Sequence, residues 1–68
     1  MDETTRILRT AIADGRIHLH GATWMIRPAA NIAGLTVLDE DAELILDEWF
    51  ETGKIVTGTH SGTASWVS

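Results

Sequence analysis

Apolar residues recur at helical spacing between residues 39 and 54, the most strongly patterned stretch of the chain. Counted at 100° per residue from Ala42, the side chains of Ile45, Leu46, Trp49 and Phe50 fall on one side, as expected of a helix packed on a core. Burial of Trp49 and Phe50 is expected to contribute about 1.5–3 kcal/mol each. Asp39 is placed to cap the first free backbone N–H groups, and Glu40, Asp41 and Glu43 suit the positive end of the helix dipole. Gly53 reads as the stop, in the left-handed position that follows many helices. On the other side Asp39, Glu43, Asp47 and Glu51 lie four apart and predict an acidic ridge, with Leu44 projecting into it.

Residues 3–14 predict a first helix, whose stripe is Thr4, Ile7, Leu8, Ala11 and Ile12, with Arg6 and Arg9 pointing away. Asp14 and Gly15 end it. Residues 16–20 alternate, placing Ile17 and Leu19 on one face and His18 and His20 on the other. After a turn at Gly21 and Ala22, residues 23–27 predict a second strand with Trp24 and Ile26 inward, closing a hairpin of weakly specified register. Pro28 stops that strand, and residues 29–34 read as a loop or one helical turn. Residues 35–38 are a short apolar run, either a strand or the lead-in to the long helix. Residues 54–57 and 63–67 predict a second hairpin, around a turn at 58–62, with Trp66 on its last strand.

The resulting order is α-β-β-(β)-α-β-β, an α+β fold with two helices packed on a small antiparallel sheet made of two β-hairpins. A shift of 38 residues places Ile7 and Leu8 on Ile45 and Leu46, Ile12 on Phe50, and Gly15-Arg16-Ile17 on Gly53-Lys54-Ile55. With four extra residues in the second turn, Trp24 falls on Trp66. The pattern suggests an internal duplication of an αββ unit, residues 3–27 and 41–67, within a single domain spanning 1–68. Neither unit could cover its apolar face alone.

Composition narrows the functional classes. The chain of 68 residues has no cysteine, which removes disulfides, thiolate metal sites and cysteine nucleophiles. So small a domain must rely on packing, on oligomerisation, or on both. No long apolar run and no leader pattern is present, which points to a soluble cytoplasmic protein without a membrane span. The net charge of −5 is unevenly spread. Residues 1–34 hold four arginines against three acids, a net +1, whereas residues 35–68 hold one lysine against seven acids, a net −6. An acidic chain is a poor default binder of nucleic acid, because Lys and Arg supply the affinity for phosphate. One lysine beside four arginines, with many Ala, Thr and Gly, hints at a GC-rich genome such as that of an actinobacterium or its phage.

Few residues are placed for chemistry. His18 and His20 would leave one strand face together, roughly 6–7 Å apart at the backbone, and are the candidate metal pair, with His60 or a carboxylate as third ligand. Ser61 beside His60 lacks the spacing of a nucleophile and its base, and no phosphate-cradling glycine loop occurs. The chain is therefore expected to be no enzyme and to need no cofactor.

The helix at 39–52 followed directly by the hairpin at 54–67 resembles the last helix and wing of winged-helix domains. That resemblance, which is topological and covers the second half of the chain, implies a small DNA-binding regulator whose helix reads bases with basic and polar side chains. Here the helix holds seven acids. A DNA-binding chain would need Arg6, Arg9, Arg16 and Arg27 to converge on one face. The leading expectation is a non-enzymatic protein–protein interaction module, self-associating as a homo-oligomer. It would present an acidic helix face (Glu43, Leu44, Asp47, Glu48 and Glu51) to a basic partner.

Overall fold

The structure, a computed structural model, describes residues 3–27, 38–59 and 61–67. The element order is α1 (Glu3–Ala13), β1 (Ile17–His20), β2 (Thr23–Ile26), α2 (Glu40–Glu51), β3 (Ile55–Thr57) and β4 (Ala64–Trp66). This is the expected α+β arrangement of two helices and two antiparallel hairpins. The loop expected at 29–34, the apolar run at 35–37 and His60 lie outside the described residues.

The helices form where the apolar period is 3.6. In α1 the buried side chains are Leu8, Ala11 and Ile12, and in α2 they are Ala42, Leu46 and Trp49. Asp39 caps α2 in extended conformation, its Oδ1 accepting the Ala42 N–H at 2.8 Å. That satisfies one of the orphan donors of the first turn. Both helices leave through one hydrogen-bond pattern. The N–H groups of Asp14, Gly15 and Arg16 donate to the carbonyls of Thr10, Ile12 and Ala11. Thirty-eight residues on, those of Thr52, Gly53 and Lys54 donate to Glu48, Phe50 and Trp49. Gly15 and Gly53 have φ of 72° and 78°, the left-handed conformation this helix exit requires.

Each hairpin is its own two-stranded sheet. In the first, Ile17 pairs with Ile26 and Leu19 with Trp24; in the second, Ile55 pairs with Trp66 and Thr57 with Ala64. This register corrects the correspondence read from the tryptophans. Trp66 occupies the place of Ile26, and Ala64 that of Trp24, because the second turn is longer by two residues and not by four. Among the described residues the sheets meet at one bridge, His18 with Thr63, beside which the Leu19 N–H donates to the Gly62 carbonyl at 2.9 Å. A Cβ at Gly62 would stand 2.3 Å from the Leu19 carbonyl oxygen, so only glycine lets the second turn come this close.

Leu8, Ala11, Ile12, Ala42, Leu46 and Trp49 of the helices pack against Ile17, Trp24, Ile55 and Ala64 of the strands in one core. Trp49, 9% exposed, lies at its edge and meets the Trp66 ring at 5.1 Å. Phe50 departs from expectation. It is 40% exposed and touches the Trp24 ring edge-on at 5.7 Å. At 80° from Ala42 it sits on the margin of the inner stripe, where it reaches the rim of the first hairpin instead of the interior. Neighbouring residues of α2 thus hold the two hairpins, Phe50 the first and Trp49 the second.

Candidate interaction site

The side of α2 opposite its buried stripe is built from Glu40, Leu44, Glu48 and Glu51, with Asp41 beside them; all are exposed. Leu44 is 61% exposed and is ringed along the helix by Glu40, Glu48 and Glu51 at four- and seven-residue spacings. No lysine or arginine occurs in α2. Among the described residues the one ion pair is Arg6 with Glu3, at 3.3 Å on the exposed side of α1, so the α2 carboxylates have no cationic partner there.

The acidic row read from the sequence, Asp39, Glu43, Asp47 and Glu51, does not run straight along that outer side. Of the five predicted contact residues, Leu44, Glu48 and Glu51 face outward together. Glu43 is half-buried on the flank. Asp47 is exposed, but its Oδ1 is engaged within the protomer, accepting the Trp24 indole N–H at 2.7 Å. Asp39, first of that row, is the helix cap. Residues four apart drift about 40° per step around a straight helix. The row thus winds from the flank nearer the buried stripe at Asp39 and Glu43 to the outer side at Glu51. No local signal announces the Asp47–Trp24 pair, whose members are 23 positions apart.

The cationic side chains separate as well. Arg6 and Arg9 are exposed on α1, and the Arg9 guanidinium stacks 5.4 Å from the Trp66 ring centre. Arg16 and Arg27 lie together beyond the first hairpin, where Arg16 Nε donates to the Arg27 carbonyl at 2.8 Å. The four arginines do not converge on one face of the protomer.

His18 and His20 share the outward face of β1, opposite Met25 and Thr23. His20 is exposed, and His18 is half-buried with Nδ1 covered and, among the described residues, without a hydrogen-bond partner. No group of three His, Asp or Glu placed to hold a metal occurs among the described residues. No helix there is long and apolar enough to cross a membrane.

No protein-family model, curated protein or solved structure matches this chain.

Proposed function

We propose that the protein is a non-enzymatic protein–protein interaction module, self-associating, that presents the outward side of α2 to a basic surface. The observation that carries this reading is the composition of that side. An exposed leucine lies among Glu40, Glu48 and Glu51, and no described ion pair neutralises them. Like charges at this spacing cost roughly 0.2–0.5 kcal/mol per pair in an isolated helix. A cationic partner would relieve that repulsion, and Leu44 would give the contact an apolar centre. Association would be fast at low salt and would weaken as salt screens the field.

Binding of a lysine-rich peptide, followed by stopped-flow fluorescence at two salt concentrations, tests the reading. Glu48→Lys with Glu51→Lys should slow association about tenfold or more at low salt. Glu3→Lys with Asp14→Lys, which changes net charge equally but away from α2, should slow it far less. Equal effects of the two pairs would mean that only net charge matters, and the α2 surface would lose its claim.

The alternative, a small winged-helix-like DNA-binding regulator, draws on the order α2–β3–β4. It is less well supported, because the helix before the hairpin is acidic and the arginines are divided between two sides. A gel shift on duplex DNA that appears at low salt, with a steep salt dependence, would reinstate it.

A further inference from the structure

The outward faces of the hairpins show the complement of the α2 surface. Cross-strand partners share a face, and the Ile17–Ile26, Leu19–Trp24, Ile55–Trp66 and Thr57–Ala64 pairs turn toward the helices. The alternate pairs, His18–Met25, His20–Thr23 and Val56–Ser65, therefore turn away from them. Backbone bonds from Arg27 to Arg16, 2.8 Å, and from Val67 to Lys54, 3.0 Å, extend this alternation by one pair at the end of each hairpin. Arg16, Arg27 and Lys54 thus belong to the outward layer, and the His18–Thr63 bridge joins the two halves of it. Among the described residues this face carries no Asp or Glu, whereas it holds three of the five Lys and Arg of the chain. Met25, Val56 and Val67 are exposed on it.

The molecule therefore has apolar residues among cations on one surface, and an apolar residue among carboxylates on another. We propose that the outward sheet face of one copy docks on the outward side of α2 of the next. This rests on the reading of α2 as a contact surface and names its occupant, a second copy of this chain. The dimensions agree. The 12 residues of α2 run about 18 Å, within a body measuring 28 × 25 × 23 Å. One face of such a body is what a weak, exchanging contact covers, at less than about 1,200 Å² in total. The two surfaces are different patches of the protomer, so the contact is heterologous. Assembly continues head to tail, closing only as a ring.

Sedimentation of the full chain tests this. At low ionic strength the weight-average mass should rise with concentration, and added salt should return it to the 7.4 kDa monomer. Arg27→Glu with Lys54→Glu disables the sheet face, and Leu44→Glu disables the α2 face without giving it positive charge. Each variant, shown folded by circular dichroism, should sediment as a monomer. Mixed in equal amounts they should form a 1:1 pair of twice the monomer mass and stop there, since each retains one working face.

A mixture that stays monomeric overturns the proposal, as does association that survives in either variant. A duplex DNA shift lost in Arg27→Glu with Lys54→Glu would assign the sheet face to phosphates instead, and also overturns it. If the wild-type chain is monomeric throughout yet its lysine-peptide binding depends on Glu48 and Glu51, the self-docking fails and the α2 reading stands. If both are lost, both fail.

Discussion

Asp47 accepts the Trp24 indole proton at the exposed border of the core, and the bond fastens α2 to the first hairpin. Hydrogen bonds to charged groups contribute about 1.5–3 kcal/mol when well shielded, and solvent reduces that. Asp47→Ala should lower the unfolding free energy by about 1 kcal/mol in urea titrations, whereas Glu48→Ala should stay within about 0.5. A double-mutant cycle with Trp24→Phe should recover most of the difference as coupling. The carboxylate itself was legible, but its role was not. Period counting assigns Asp47 to the outer half of α2, and nothing within one turn reveals an indole 23 positions upstream. Phe50 was misplaced for a related reason, because a wheel drawn from the chain cannot say how wide a stripe the core will accept. Leu46 and Trp49, nearer its centre, were read correctly.

At the scale of elements, both helices hand over to a hairpin through the same three hydrogen bonds, 38 positions apart. These exits were readable because Gly15 and Gly53 announce them. The hairpin register was not, because it depends on turn length, and aligning tryptophan with tryptophan gives the wrong turn. Side-chain pairing decides it: Trp66 lies opposite Ile55, as Ile26 lies opposite Ile17. At Gly62 the second turn runs close against β1. Gly53→Ala meets no atom within 4 Å, and its left-handed backbone alone should cost about 1–2 kcal/mol. Gly62→Ala adds a collision with the Leu19 carbonyl and should cost on the order of 3 kcal/mol. Thermal melts of the two variants side by side would check the ranking; equal losses would mean that the second turn can retreat from β1.

For the molecule as a whole, stability rests on one small core that both helices and both hairpins share. Leu46 is fully buried at its middle. Leu46→Ala should cost about 2–5 kcal/mol, a large share of what so short a chain has available. A urea midpoint near zero for that variant is the expected result. A shift of less than about 1 kcal/mol would show that the core recloses around the gap. At this scale the uneven charge was visible in the composition, as −6 on the second half. Its arrangement was not, because the basic layer gathers Arg16 and Arg27 from one hairpin with Lys54 from the other. Only the hairpin registers show that all three stand at outward positions.

The aromatic contacts of α2 also make the protein its own optical gauge. The chain contains three tryptophans and no tyrosine, so its ultraviolet emission is purely indole. Trp49 and Trp66 are close enough for their transitions to couple, and the resulting circular-dichroism couplet belongs to the second hairpin. Trp24 stands outside that pair, and its bond to the Asp47 carboxylate belongs to the first. Detachment of the second hairpin from the helix should thus be followed by loss of the couplet, without a label.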